Sequence, residues 1–301
     1  VDLSNLVNIA AIQASREGVR EVSMKHFEFA KDRIIMGAER RSAVITDESK
    51  QVTAYHEGGH ALVAYYTKGA MPLHKATIMP RGQALGMTVQ LPEMDKDSYT
   101  KSEYLAMLDV CMGGRVAEEM IFGDDNVTSG AHNDIMKATA VARRMVTQFG
   151  MSENVGPVAY VEEDMPQLST ETKLLIEKEV RVFVERAKER AETLLREHRD
   201  ELDRLARALV ENETLNREEI DSVLKGDGPK RPSLSEELEK TKKAVSASSA
   251  TAKKPAGRPD AKKAKAGQEA RDEEETGTAV HPPPSGARPA PGAQRPVTVP
   301  R

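Results

Sequence analysis

Two histidines four residues apart form the part of this chain best suited to chemistry. His56 and His60 enclose the stretch His-Glu-Gly-Gly-His. Residues four apart lie on one face of a helix, about one turn from each other, so both imidazoles can reach the same metal ion. Zinc suits two neutral histidines and an oxygen ligand, with a fourth position for a water whose pKa the metal lowers. Glu57 can take the proton of that water and pass it to a leaving amine, as in the H-E-x-x-H pattern of zinc proteases.

The residues around this motif predict a buried helix. Thr46 can cap its start, two acidic residues follow in the first turn, and the apolar run 61–66 comes directly after the motif. Buried histidines need polar partners, so the alternative interpretation is a pair of core histidines satisfied by hydrogen bonds. Gly58 and Gly59 each cost about 1 kcal/mol relative to alanine inside a helix. Close approach of a neighbouring helix or of a substrate would compensate for that cost.

A catalytic zinc site needs a third protein ligand, and the segment 128–134 contains two candidates. His132 and Asp134 lie there at a predicted junction between a loop and a helix. Asn133 or Asp134 could instead serve only the helix N-terminus. No histidine follows His60 at the close spacing found in metzincins, and spacing alone favours neither candidate.

Composition excludes several other classes of protein. The chain has 301 residues, a net charge of −4 and one cysteine, Cys111. It therefore has no disulfide within the chain and no cysteine-based zinc site, and its charge points to no particular partner. No run of 18 apolar residues occurs, so no segment is predicted to span a membrane. Because the chain opens at Val1 in a helical pattern, we expect a fragment of a longer protein that can have a membrane segment upstream.

Residues 227–301 differ in composition from the rest of the chain. They are rich in Lys, Ala, Pro, Ser and Gly and contain almost no large apolar residues, which predicts a disordered, low-complexity tail. No aromatic residue is interleaved with the lysines, so a nucleic-acid partner is not predicted.

The remaining pattern is mainly α-helical with one short strand or hairpin element. Apolar periodicity and capping residues predict helices over 2–19, 23–37, 47–67, 100–122, 131–149, 171–199, 200–211 and 216–224. The runs 76–80 and 87–91 are typical of short strands and are separated by glycines. An extended substrate could pair with this element as an added strand.

Four motifs in a fixed order carry a resemblance to a known family. They are HEGGHALVA at 56–64, HKATIMPRG at 74–82, MGGRVAEEMIFG at 112–123 and TSGAHNDIMKAT at 128–139. Together they resemble the FtsH-type membrane AAA proteases, peptidase family M41, with the strongest likeness to the mitochondrial i-AAA or Yme1-like branch, especially its plant members. The likeness covers residues 1 to about 225. The glycines and arginine at 113–115 are interpreted as serving close helix packing rather than chemistry.

The resemblance implies a zincin-like helical protease domain over 41–226. It implies that 1–40 is the C-terminal part of an AAA helical lid and that 227–301 is the disordered tail. One zinc ion per chain would be held by His56, His60 and Asp134, with Glu57 as general base. The family usually has a small residue where this chain has His132, whose imidazole could compete for the metal, hydrogen-bond to a ligand or point to solvent.

The function implied by the resemblance is that of a zinc-dependent endopeptidase. It would be the protease module of an ATP-dependent, membrane-anchored AAA protease that degrades unfolded or misassembled proteins as a homo-hexamer. The mitochondrial inner membrane is the expected location, with chloroplast thylakoid or bacterial inner membrane as alternatives. ATP and Mg²⁺ would bind only to an upstream ATPase module, because no G-x-x-x-x-G-K-[ST] motif occurs here. The alternative functions are a catalytically silent ring-assembly module with structural or no zinc, and a different metal hydrolase.

Overall fold

Helices make up most of the described part of the chain. The computed structural model describes residues 2–40, 45–82, 84–92 and 96–229. The described helices are α1 (Asp2–Arg16), α2 (Met24–Met36), α3 (Asp47–Tyr66), α4 (Lys101–Phe122), α5 (His132–Thr147), α6 (Thr170–Glu197), α7 (Arg199–Asn212) and α8 (Arg217–Leu224). Short 3-10 turns cover Asp124–Asn126, Ser129–Ala131 and Glu162–Gln167. The expected mainly helical fold is confirmed.

Capping residues fix several of these helix starts. The Thr46 hydroxyl accepts a hydrogen bond from Ser49 N at the start of α3. Reciprocal capping boxes open α4 at Thr100 and α8 at Asn216. Each side chain satisfies a backbone N–H that has no partner within its own helix. The caps predicted from the sequence are therefore confirmed.

The strands form one small antiparallel sheet. They are β1 (Leu73–Thr77), β2 (Met87–Gln90) and β3 (Thr214–Asn216), in the order β2-β1-β3. Ala76 on the central strand lies opposite Thr88 on one side and Leu215 on the other. A strand or hairpin element was predicted here from the runs 76–80 and 87–91. β2 lies within the second run, whereas β1 begins three residues before the first run, and β3 was not predicted.

Helix α3 lies at the centre of the helical core. It packs against α4, α6 and α7, and α4 packs in turn against α5 and α6. Aliphatic side chains and methionine fill this core, as the absence of tryptophan requires. The largest fully buried side chains include Leu62, Leu108, Met145, Ile176, Leu195, Leu202, Leu205 and Leu209.

Two reciprocal arginine contacts fasten the segment after α2 to the loop between β1 and β2. Arg81 Nη1 donates to the carbonyl of Gly37 at 3.0 Å, and Arg40 Nη1 donates to the carbonyl of Gly82 at 2.7 Å. The backbone N–H of Arg40 also donates to Pro80 O at 2.8 Å. The helical pair α1–α2 is therefore tied to the connection that leads into β2.

Two further predictions concern the C-terminal tail and membrane-spanning helices. The tail predicted from residue 227 onward lies almost wholly outside the described residues. Among those residues, no helix is both long and apolar enough to cross a membrane.

Candidate metal centre

Helix α3 carries three of the four expected site residues on its buried part. His56, Glu57 and His60 are all buried, and the imidazole Nε2 atoms of the two histidines lie 3.1 Å apart. The two rings meet edge to face, with centroids 4.7 Å apart. The spacing of four residues therefore places both imidazoles at one point, as predicted from the sequence.

A stripe of α4 faces these imidazoles. Val110, Gly114 and Glu118 are spaced by four residues and so lie on one face of the helix. The Nδ1 of His60 lies 2.7 Å from the carbonyl oxygen of Val110, and the Nδ1 of His56 lies 2.6 Å from Glu118 Oε1. A carbonyl oxygen only accepts, so the Nδ1 of His60 is the donor. Donation from Nδ1 leaves Nε2 of a neutral imidazole available to bind a metal ion.

Gly114 leaves room beside both Nε2 atoms. A Cβ atom built on Gly114 would lie 2.5 Å from His60 Nε2 and 2.6 Å from His56 Nε2. Any side chain here would enter the space towards which both nitrogens point. The two glycines of α4 therefore have different roles: Gly113 serves helix packing, as interpreted from the sequence, whereas Gly114 leaves open the space between the ligand atoms.

Asp134 completes the cluster from the first turn of α5. Its Oδ2 lies 3.3 Å from His56 Nε2 and 3.3 Å from His60 Nε2. Tetrahedral zinc with bonds of 2.0–2.1 Å requires ligand atoms about 3.3 Å apart. Two imidazole nitrogens and one carboxylate oxygen at this spacing thus fit a zinc ion, with one coordination position left over.

Glu118 joins the candidate metal centre to the loop before α5. Its Oε1 contacts His56 Nδ1, while its Oε2 accepts from the backbone N–H of Thr128 at 2.7 Å. The Thr128 hydroxyl in turn accepts from Gly130 N at 3.2 Å and caps the short turn before α5. Sequence reasoning did not identify Glu118. The available signal was an acidic residue four positions after Gly114, on an otherwise apolar helix face.

His132 lies outside the cluster. It is the first residue of α5 and is exposed, whereas Asp134 faces the histidines. Among the described residues, the metal-ligating side chains that converge within 4.8 Å are His56, His60 and Asp134. Of the two ligand candidates in the segment 128–134, the structure brings only the aspartate to the histidines.

The charges around His56 favour a cation. Burial by itself would lower the pKa of His56, but hydrogen bonds to Asp134 and Glu118 outweigh it and raise the pKa to about 10. Burial would likewise raise the pKa of Asp134, yet hydrogen bonds from His56 and His60 hold it below its usual range. The arrangement stabilises positive charge between two carboxylates, and a divalent cation supplies that charge when it displaces the proton.

Glu57 points away from this stripe of α4 and contacts strand β2. Its Oε2 accepts a hydrogen bond from the hydroxyl of Thr88 at 2.7 Å. Burial raises the pKa of the Glu57 carboxyl, opposed by the two neighbouring histidines and by Thr88. A carboxylate with a raised pKa is better matched to proton transfer near neutral pH than an exposed one.

Comparison with known proteins places the chain in a family. The sequence profile of peptidase family M41 matches residues 43–223. The chain belongs to peptidase family M41. This confirms the resemblance to FtsH-type proteases and its Yme1-like branch.

Similar relatives occur in fungi, plants, mammals and a bacterium. The ATP-dependent zinc metalloprotease YME1 homolog of Schizosaccharomyces pombe is 60% identical over 226 residues, 75% of this chain and 32% of the relative. The mitochondrial inner membrane i-AAA protease supercomplex subunit YME1 of Saccharomyces cerevisiae is 52% identical over 226 residues, 75% of this chain and 30% of the relative. The ATP-dependent zinc metalloprotease FTSH 11, chloroplastic/mitochondrial, of Arabidopsis thaliana is 53% identical over 223 residues, 74% of this chain and 27% of the relative.

These figures refine the sequence-based expectations. The chain spans about a third of the length of these relatives. The particular likeness expected to plant members is not supported, because the fission yeast relative has the higher identity.

Proposed function

We propose that this chain is the zinc-dependent endopeptidase module of an ATP-dependent, membrane-anchored AAA protease. The observation that carries the proposal is the convergence of His56 Nε2, His60 Nε2 and Asp134 Oδ2 at 3.1–3.3 Å, with Glu57 on the same helix. The names of the relatives favour a protease over the catalytically silent ring-assembly alternative.

In this proposal, different residues hold the metal, orient its ligands and transfer the proton during peptide hydrolysis. When bound, zinc supplies a Lewis acid that polarises the scissile carbonyl and acidifies a water. His56, His60 and Asp134 would hold the metal, and Val110 O and Glu118 orient the two imidazoles. Glu57 accepts a proton from the attacking water as the water oxygen bonds to the carbonyl carbon. Glu57 then returns that proton to the amine nitrogen as the C–N bond breaks.

Strand β2 offers a surface for an extended peptide. It is an edge strand, because β1 occupies one side and no described strand pairs with the other. A cavity of about 400 Å³ lies at the end of β2 and is lined partly by Met71, Pro92 and Met107. Backbone pairing with β2 would supply affinity with low sequence specificity. A proline scan of residues 87–91 that left the KM for a peptide substrate unchanged would contradict this assignment.

The family and the names of the relatives support a proposal for the wider assembly. We infer that unfolded or misassembled polypeptides are the substrates, delivered by an ATPase module of the same protein that binds ATP and Mg²⁺. We infer a homo-hexamer anchored in the mitochondrial inner membrane, the location that the name of the S. cerevisiae relative states. Chloroplast and bacterial membranes are the alternatives, and no nucleic-acid partner is proposed.

We propose three domains or segments for the chain, as the family resemblance implies. Residues 1–40 would be the end of an AAA helical lid, 41–226 the protease domain and 227–301 the tail. The family match over 43–223 supports the middle boundaries. The contacts of Arg40 and Arg81 with the facing carbonyls lie next to the proposed junction at residue 40.

Metal content per chain tests the site directly. We expect one zinc per chain in the parent and in His132→Ala, and loss of zinc in His56→Ala and Asp134→Ala. Loss in His132→Ala with retention in Asp134→Ala would move the third ligand to His132. A parent without metal under zinc-replete conditions would favour the ring-assembly alternative.

Activity tests the base. Glu57→Gln should keep one zinc per chain and lose cleavage of fluorescein-labelled casein, because the amide cannot accept the proton of water. Cleavage at the parent rate would show that another group is the base. His132→Ala serves as the matched control, since its side chain is exposed and outside the cluster.

A further inference from the structure

Strand β2 contacts the proposed general base through a single hydroxyl. Thr88 Oγ1 lies 2.7 Å from Glu57 Oε2 and 3.1 Å from the Glu57 backbone carbonyl. Both acceptors are within hydrogen-bond reach, and the carboxylate is the closer and the stronger of the two. One oxygen of the Glu57 carboxylate is therefore fixed by a residue that lies outside α3.

The same strand approaches Glu57 through a glycine. A Cβ built on Gly86 would lie 2.8 Å from Glu57 Cγ, 2.8 Å from Glu57 Oε1 and 2.7 Å from Thr53 Cγ2. A side chain at position 86 would force the glutamate or the strand to move. Because Gly86 has no side chain, the backbone that leads into β2 can lie against the Glu57 carboxylate. This brings the Thr88 hydroxyl within hydrogen-bond distance of Glu57 Oε2.

Thr88 itself is held by the sheet. It lies opposite Ala76 on β1, and β1 is paired on its other side with β3. A threonine side chain is stiff at χ1, so a fixed backbone gives a fixed hydroxyl direction. Glutamate has a flexible side chain with several rotamers, and a hydrogen bond from a rigid donor removes much of that freedom.

We propose that Thr88 is the positioning residue for Glu57. Its hydroxyl holds Oε2, so that the carboxylate keeps one orientation and Oε1 is left for the proton of the attacking water. The inference rests on the proposed function, because it assigns a role relative to the general base. It also means that the strand offered to an extended peptide and the strand that orients the base are the same element.

The test compares variants of the full-length protein with fluorescein-labelled casein and a short quenched-fluorescent peptide. Thr88→Val removes the hydroxyl but keeps the shape, and Thr88→Ser restores the hydroxyl without the methyl group. Thr77→Val is the matched control. Thr77 is a buried strand threonine whose hydroxyl contacts Glu213 O at 3.1 Å and Thr214 Oγ1 at 2.7 Å, on the side of the sheet that pairs with β3.

A positioning role predicts a specific pattern across these variants. Thr88→Val should lower kcat for the short peptide by about tenfold or more, within the share that general-base catalysis contributes. Its KM should change less than about twofold and its zinc content should stay at one per chain, because Thr88 touches no ligand atom. Thr88→Ser should return kcat to within about threefold of the parent, since the donor is restored. Thr77→Val should retain the parent kcat.

Other outcomes would overturn the proposal. Parent kcat in Thr88→Val, or equal losses in the Val and Ser variants, would show that the hydroxyl does not act through Glu57. A raised KM with unchanged kcat would assign Thr88 to substrate pairing alone. A parent that neither binds zinc nor cleaves would overturn the proposed function itself, and parent-rate cleavage by Glu57→Gln would show that another group is the base. Normal Thr88 variants beside an inactive Glu57→Gln would reject only the positioning role.

Discussion

Gly59 on α3 and Gly113 on α4 lie in direct backbone contact. A Cβ built on Gly59 would lie 2.4 Å from the carbonyl oxygen of Gly113, and one built on Gly113 would lie 2.8 Å from that of Gly59. Neither position can carry a side chain unless the helices separate. Because His60 and Gly114 follow directly after these glycines, the contact sets the distance between the histidines and the residues of α4 that orient them.

Gly113→Ala is expected to destabilise the protein by about 2 kcal/mol or more, because the added methyl group overpacks a backbone contact that has no room to relax. Urea unfolding of the purified protein measures this as a lowered free energy of unfolding. Gly58, which precedes Gly59 in the motif His56–His60, gives a matched control. A Cβ on Gly58 would lie 3.4 Å from Leu202 Cδ1 and 4.0 Å from Ala206 N, both ordinary contact distances.

Gly58→Ala should therefore be neutral or stabilise the protein by up to about 1 kcal/mol, through the better helix propensity of alanine. Equal effects of Gly58→Ala and Gly113→Ala would show that the close approach of α3 and α4 does not limit what these positions accept.

Gly114→Ala tests where the metal lies. The methyl group would lie within 2.6 Å of the Nε2 atoms of His56 and His60, in the space that a tetrahedral ion needs. We expect zinc content to fall below about a tenth of an ion per chain, since the ligands cannot close around the metal. Measurement by metal analysis beside circular dichroism separates metal loss from unfolding. Folded Gly114→Ala with one zinc per chain would show that the metal does not bind between these histidines.

The sequence predicted the features that depend on local spacing. Helical periodicity alone placed His56 and His60 on one face, and the caps at Thr46, Thr100 and Asn216 follow from side-chain chemistry within one turn. The distinction between His132 and Asp134 did not follow from spacing. Both lie in the first turn of α5, and only the direction in which that turn faces α3 separates them.

Features that depend on contacts between distant segments could not be predicted. β3 has three residues, Thr214–Asn216, and it is a strand only because β1 pairs with it. In the sequence, Glu118 is one of several acidic residues on a helix. It contacts His56 only because α4 packs against α3. Thr88 contacts Glu57 only because Gly86 lets β2 approach α3. Each of these roles arises from the packing of elements rather than from the pattern within one.

Glu118 is expected to tune metal affinity without binding the metal. Glu118→Gln removes the negative charge that faces His56 Nδ1 at 2.6 Å, and it disturbs the contact to Thr128 N. Substitution of such a ligand-orienting carboxylate typically weakens metal binding by about 10–100-fold. Competition with a zinc chelator measures the change in Kd.

The neighbouring glutamate is the control for that measurement. Glu119 accepts from Arg115 Nε at 2.8 Å and lies 2.7 Å from Lys188 Nζ, on a different face of α4. Glu119→Gln should leave the zinc Kd within about twofold of the parent, because ion pairs near the surface contribute little. An equal loss of affinity in both variants would indicate a general effect of charge rather than the contact to His56.

A buried carboxylate outside the cluster of His56, His60 and Asp134 should make stability depend on pH. Ser152 Oγ donates to Glu179 Oε2 at 2.6 Å and Asn154 Nδ2 donates to Oε1 at 2.8 Å. The hydrogen bond from Ser152 is the main cause that lowers the pKa of Glu179, and the contact with Asn154 adds to it. Since the folded pKa lies below the unfolded value of about 4.3, the ionised form stabilises the fold above that pH. This contribution is lost as the pH falls through the folded pKa.

Ser152→Ala should therefore lower the free energy of unfolding by about 1–3 kcal/mol at pH 7, where the hydroxyl donates to a charged carboxylate. The difference between parent and variant should shrink as the pH falls below about 4, because protonation of Glu179 weakens the same bond in the parent. Urea unfolding of both proteins at pH 7 and at several lower pH values measures the difference. Ser169→Ala, whose hydroxyl caps the exposed start of α6, provides a control that should not depend on the charge of Glu179. A Ser152→Ala effect of the same size at every pH would show that Glu179 is not stabilised by this hydrogen bond in its ionised form.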